Sequence, residues 1–125
     1  MDWKFRSDLP IYSQLVEQIK LAIVSGGLLP GERLQSVRDM AAEAGVNPNT
    51  MQRALQELER DGMVYAQRTA GRFVTEDMRV IERAKKRFAE EQIQGFLAAM
   101  KKLGYRREEI FRLLEEEKEE DNGDT

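Results

Sequence analysis

Apolar residues return every three or four positions along most of this chain, and one stretch departs from that rhythm. Tyr12, Leu15, Ile19 and Ile23, with small Ala22 beside them, mark one face of a helix over about residues 10–25. Pro10 suits a first helical position, where its missing N–H would have no partner anyway, and Gly26-Gly27 stop the helix. After a turn at Pro30-Gly31, Ser36 is placed to cap a short helix carrying Val37, Met40 and Ala41. Asp39 lies in its first turn, and Gly45 ends it by accepting a left-handed backbone. Asn47 caps and Pro48 opens a third helix with Met51, Ala54, Leu55 and Leu58 on one face; Asp61-Gly62 close it. Two β-like runs, 63–67 and 72–75, flank Arg68-Thr69-Ala70-Gly71 as a hairpin. A long helix over about residues 78–103 then carries Ile81, Ala84, Phe88, Ile93, Phe96, Leu97, Met100 and Leu103. Gly104 breaks it, and a last helix over about residues 107–119 turns Ile110, Phe111, Leu113 and Leu114 to one side.

Two short helices joined by Gly45-Val46-Asn47 have the dimensions of a helix-turn-helix, and the hairpin directly after the second adds a wing. The expected fold class is therefore mostly α with a small β-hairpin wing. A winged helix-turn-helix DNA-binding domain is expected over residues 1–75, and a two-helix dimerisation region with an acidic tail over residues 76–125.

The informative residues are those the apolar seam leaves outside. At about 100° per residue, the face opposite Ala54, Leu55 and Leu58 holds Asn49, Arg53, Gln56 and Arg60, with Gln52 at its flank. Asn and Gln read adenine and Arg reads guanine, and the first turns of a recognition helix are those that reach base edges. Asn47, Asn49, Thr50, Gln52 and Arg53 are the candidates for groove contact, with Thr50 and free backbone N–H groups able to hold phosphate. Taken singly, each has a plainer alternative: Gln52, Arg53 and Gln56 as a solvated face, and Asn47 as a cap, which is taken as its main role. Ser36 and Arg38 stand at the start of the preceding helix and join the candidate set; Arg38 could instead pair with Asp39 or Glu43. Arg68 and Arg72, flanking the hairpin tip, complete it, since a positively charged wing can follow the backbone or enter the minor groove; each could instead belong to a soluble hairpin that merely avoids aggregation.

Composition narrows the chemistry. At 125 residues the chain is one domain, or a small domain with an appendage. It has no Cys and no His, which removes disulfides, thiolate nucleophiles, the Ser–His triad and the commonest transition-metal ligands. Carboxylates remain available for magnesium chemistry. They fall on exposed helix faces and in the tail, however, so no enzyme, cofactor or metal is expected. No apolar run approaches the roughly 18 residues of a transmembrane helix, and the first eight residues lack the apolar stretch of a signal peptide. A cytoplasmic protein with no membrane partner is expected.

The formal net charge of −3 is unevenly spread. Residues 1–75 carry nine basic and nine acidic side chains; from Glu115 onward the net is −6, so the rest of the chain sums to +3. That acidic end reads as a fraying helix and a solvated tail over residues 121–125. Arg79, Arg83, Lys85, Lys86 and Arg87 form a basic cluster at the start of the long helix. It could add backbone electrostatics, or pair with Glu82, Glu90 and Glu91 at helical spacing. About 50 C-terminal residues are marginal for an independent core. Phe88, Ile93, Phe96, Leu97, Ile110, Phe111 and Leu114 are therefore expected to be buried against a second copy.

Several runs together resemble the GntR family of bacterial transcription regulators. They are Pro10-Ile11-Tyr12-Ser13-Gln14-Leu15, then Ile19, Ile23, Gly26, Pro30-Gly31-Glu32-Arg33-Leu34, Ser36-Val37-Arg38, Ala41, Val46-Asn47-Pro48-Asn49-Thr50, Ala54, Leu58, Gly62 and Phe73-Val74. The match covers residues 9–75 in order and spacing, and the short C-terminal part is similar to the YtrA subfamily, which lacks a large effector-binding domain. The resemblance implies a homodimer built by the C-terminal helices on a palindromic operator. It also implies that Arg38 and Thr50 take DNA-contact positions and that the wing tip at Gly71 approaches the minor groove. Two positions depart from the family pattern: Gln35 stands where proline is usual, and the usual Gly-x-Gly tip reads Thr69-Ala70-Gly71.

These readings converge on a sequence-specific, double-stranded-DNA-binding transcription regulator, a repressor by expectation, acting as a homodimer. The alternative is a winged-helix protein–protein interaction module, which would fold and dimerise normally without salt-dependent DNA affinity. A ligand-regulated form of the first reading stays open, since a small dimer interface could hold a hydrophobic molecule, but no residue set identifies such an effector.

Overall fold

The computed structural model describes residues 1–117. Along it run α1 (Ile11–Val24), α2 (Val37–Ala44), α3 (Pro48–Arg60), β1 (Val64–Gln67), β2 (Gly71–Val74), α4 (Met78–Lys102) and α5 (Arg107–Glu117). The fold is mostly helical with an antiparallel hairpin, in which Val64 faces Val74 and Gln67 faces Gly71. The last two residues of the expected final helix and the tail over 121–125 lie outside the described residues.

Met1–Lys86 form one compact unit. Leu15 and Ile19 on α1 and Met51, Ala54 and Leu58 on α3 have no exposed surface. Each fully buried Leu, Ile or Met side chain is worth about 1.5–3 kcal/mol, so this seam, rather than helix propensity, fixes how α3 lies on α1. Met40 and Ala41 of α2, Leu34, and Met63, Val64 and Val74 of the wing close the same core. Ile81 is buried there too, with Val80 and Ala84 packed alongside, which carries this unit past residue 75 into the first turns of α4.

The helix ends follow their signals. Ser36 Oγ accepts the Asp39 N–H at 3.1 Å and Asn47 Oδ1 accepts the Asn49 N–H at 2.7 Å. Gly45 ends α2 with φ 71°. Asp77 caps α4 by accepting the Arg79 N–H at 3.0 Å.

Two features fall outside the helical rhythm. Residues 31–34, expected only as a turn and its exit, pair with β2: Arg33 bridges Phe73, and the Val74 N–H donates to the Glu32 carbonyl at 2.8 Å. The N-terminal segment also lies along the helices. Gln18 exchanges two hydrogen bonds with the Lys4 backbone, and Gln14 does the same with Arg6. Trp3 and Phe5 stack at 6.1 Å and pack on the core.

The second unit begins at Arg87. Helix α4 ends where Gly104 takes φ 96°, with the Tyr105 N–H donating back to the Met100 carbonyl at 3.2 Å. Glu109 then reaches back to accept the Arg106 N–H at 2.8 Å and starts α5. Ile93, Phe96, Phe111 and Leu114 are exposed, Phe88 and Leu97 are half-buried, and Ile110 is covered within the single chain. Ile110 therefore differs from the six side chains expected beside it at an interface.

Candidate nucleic-acid interface

The sequence set the apolar face of α3 inward, and its buried residues are Met51, Ala54, Leu55 and Leu58. That rotation leaves Asn49, Arg53, Gln56 and Arg60 exposed and Gln52 and Thr50 half-buried. Three of these end in amides and two in guanidinium groups, the donor and acceptor types that base edges require. Asn47 spends its side-chain oxygen on the cap, which leaves its amide nitrogen outward at the helix start.

Arg53 is held rather than loose. Its guanidinium lies over the ring of Tyr12 on α1, 3.7 Å from the centroid. Pro10, which precedes α1, Ile11 and Tyr12 of α1, and Asn49, Thr50 and Arg53 of α3 line one open hollow of about 450 Å³. The first turns of α3 therefore share a surface with the start of α1. Periodicity places Tyr12 on the apolar stripe and gives no sign that its ring also carries Arg53.

Ahead of this helix, Ser36 is exposed and spends its hydroxyl oxygen on the cap. Arg38 is exposed in the first turn of α2. Among the described residues it forms no ion pair: Glu43 instead accepts the Met1 amine at 2.8 Å and Trp3 Nε1 at 3.2 Å. Those bonds hold the Glu43 carboxyl below its ordinary range, the hydrogen bond from the Met1 amine first.

The wing divides its three candidates. Arg68 is exposed in the turn, where the Ala70 N–H donates to the Gln67 carbonyl at 3.1 Å. Gly71 is exposed with φ 107°, a conformation that favours glycine. Arg72 is half-buried and its Nε donates to Glu59 Oε1 on α3, so it ties the hairpin to α3 instead of projecting from the tip. Thr69, also in the turn, has φ 68°. It is the one non-glycine residue with positive φ among those described, and a β-branched side chain there is strained.

Arg33 is the wing residue that sequence reasoning missed. Pairing with Phe73 brings it beside the tip, and Arg33 Nε lies 3.2 Å from where a Cβ on Gly71 would stand. A bridge of one residue pair has no periodicity, so no sequence signal could have placed Arg33 there.

In the basic cluster, Arg79 donates from its guanidinium to Asp77 at 3.2 Å and holds that carboxyl below its ordinary range. Among the described residues, Arg83, Lys85, Lys86 and Arg87 form no ion pairs with Glu82, Glu90 or Glu91. No group of three or more Asp or Glu among the described residues could hold a metal ion, and no helix among them is long and apolar enough to cross a membrane.

Residues 11–74 match the family described as bacterial regulatory proteins, gntR family. The HTH-type transcriptional regulator YhcF of Bacillus subtilis is 43% identical over 110 residues, covering 88% of this chain and 91% of that protein. The HTH-type transcriptional repressor YtrA of the same organism is 40% identical over 72 residues, covering 58% of this chain and 55% of YtrA, so about half of its length is spanned. Among solved structures, a GntR family transcriptional regulator from Listeria monocytogenes superposes with a TM-score of 0.81 at 38% identity, covering 90% of this chain and 98% of that one. The DNA-binding domain of AraR, solved in complex with operator ORX1, superposes with a TM-score of 0.55 at 26% identity over 60% of this chain and 96% of that one.

Proposed function

The chain belongs to the gntR family of bacterial regulatory proteins, as a transcription regulator with a DNA-binding domain and not an enzyme, and on that premise we propose that it is a repressor binding a palindromic operator as a homodimer. The observation that carries the proposal is the rotation of α3. Its buried seam leaves Asn49, Gln52, Arg53 and Gln56 together on the outer side of the second helix of a helix-turn-helix. Two copies related by a two-fold axis would set two such helices in major grooves one helical turn, or a multiple, apart.

Asn47, Asn49, Gln52 and Arg53 read base edges in this arrangement, while Ser36, Arg38 and Thr50 hold the phosphate backbone. Arg68 and the bare tip at Gly71 bring the wing to the minor groove. Exposed Ile93, Phe96, Phe111 and Leu114 support a dimer formed through α4 and α5, since charged side chains alone would suffice on a solvated face. YtrA is a repressor, and a dimer seated on its operator excludes polymerase without further machinery. The site of action is the cytoplasm.

Selection of bound sequences from a random duplex pool tests this. The recovered sites are expected to be palindromic, with affinity falling steeply as salt rises. Arg38→Ala is expected to weaken binding by about 1–3 kcal/mol. Loss of palindrome-selective binding at low salt, or a monomer by sedimentation, would refute the proposal.

A further inference from the structure

The wing carries a cation that the hairpin itself does not supply. Arg33 precedes α2 in the chain, yet its backbone bridges Phe73 on β2 and the Leu34 N–H donates to the Arg72 carbonyl at 2.9 Å. Those bonds lock the loop against the hairpin, and the Arg33 side chain crosses to the turn. A Cβ on Gly71 would meet its Nε at 3.2 Å, Nη2 at 3.5 Å and Cζ at 3.8 Å, so the guanidinium lies against the bare face of the glycine. Arg33 is exposed, and among the described residues it forms no ion pair. Arg72, the arginine within β2, has its charge matched by Glu59.

We propose, resting on the DNA-binding reading above, that Arg33 is the specificity residue of the wing and enters the minor groove of A·T pairs flanking each half-site. An A·T minor groove is narrow and strongly negative, and it takes an inserted arginine. A G·C pair puts an exocyclic amino group on that groove floor and opposes one. Gly71 contributes by what it lacks: a Cβ at that position would stand 3.2 Å from Arg33 Nε and crowd the guanidinium. Arg72 works inward, holding β2 to α3, and a second outward charge, beside that of Arg68 in the turn, comes from a residue nearly forty positions earlier.

The test uses the full-length protein and an operator recovered from a random pool, with binding followed by fluorescence anisotropy. The flanking A·T pairs are exchanged for inosine·cytosine, which keeps the minor-groove face of A·T, and for G·C. The wild type is expected to tolerate inosine·cytosine and to lose about tenfold with G·C. Arg33→Ala is expected to bind the A·T-flanked site about tenfold more weakly and to bind all three flanks alike. Arg33→Gln, which keeps two methylenes of the stem and a polar end without the charge, is expected to do the same and replaces the alanine variant if that one unfolds. Retained flank preference overturns the inference, and so does a uniform weakening that leaves the preference intact, the behaviour of a phosphate contact. A wild type that recovers no site from the pool overturns the DNA-binding reading itself.

Discussion

The guanidinium of Arg53 stands 3.7 Å above the ring of Tyr12, so a side chain of the reading helix is braced by the helix that begins the fold. An arginine pinned this way has fewer rotamers to lose when it meets a base. Ordering a loose side chain at an interface costs about 0.5–1.5 kcal/mol. Tyr12→Leu is therefore expected to weaken operator binding by about 1 kcal/mol, whereas Tyr12→Phe, which keeps the ring, leaves it unchanged. Anisotropy titrations of both variants, beside Arg53→Ala, decide it; equal affinity for the leucine variant and the wild type would show that the ring does not brace Arg53 for binding, and an unchanged Arg53→Ala would show that Arg53 reads nothing.

Capping and DNA contact can be separated at Asn47. Its Oδ1 accepts the Asn49 N–H, a role aspartate performs equally well. Asn47→Ala is expected to cost about 1 kcal/mol of stability in urea unfolding. Asn47→Asp should keep the stability yet weaken DNA binding, because it puts a negative charge beside the phosphates.

Thr69 holds a left-handed backbone in the turn of the wing, where the family pattern has glycine. That conformation costs an ordinary residue about 1–2 kcal/mol. Thr69→Gly is expected to raise stability by about 1 kcal/mol after the greater freedom of glycine in the unfolded chain is subtracted. A melting temperature at or below that of the wild type would contradict this.

The N-terminal segment should respond to acid. The Glu43 carboxyl is depressed chiefly by the hydrogen bond from the Met1 amine, with the charge of that amine and hydrogen bonds from Trp3 and Gln35 adding to it and desolvation opposing. A depressed acid contributes stability in full above its unfolded value, and that contribution is lost as pH falls through the folded one. Trp3 is the single tryptophan, so its emission reports the change. A red shift is expected below about pH 4, and Glu43→Gln should show the shifted spectrum already at neutral pH.

The parts of this fold that the sequence made legible are those set by a single residue or a regular spacing. Ser36, Gly45, Asn47 and Pro48 mark the ends of two helices by local chemistry, and the seam from Met51 to Leu58 turns the reading face outward whatever surrounds it. Contacts between distant positions left no such trace. The Arg72–Glu59 pair depends on how the hairpin settles on α3, and the Arg33–Phe73 bridge depends on where a loop returns. The docking of Trp3 and Phe5 rests on two glutamines bonding to backbone, which no periodicity announces. Ile110 belongs to the same greasy side as Phe111 and Leu114, and spacing could not show that the chain covers it alone.

The inward seam of α3 also bears on how such a regulator can diversify. Asn49 and Gln56 are exposed and lie outside the buried core, so on the proposed reading exchange there can retarget the protein at little cost to folding. Arg53 is the exception. On the proposed reading, its partnership with Tyr12 ties one letter of the recognition code to the architecture, and that letter should change only when both do.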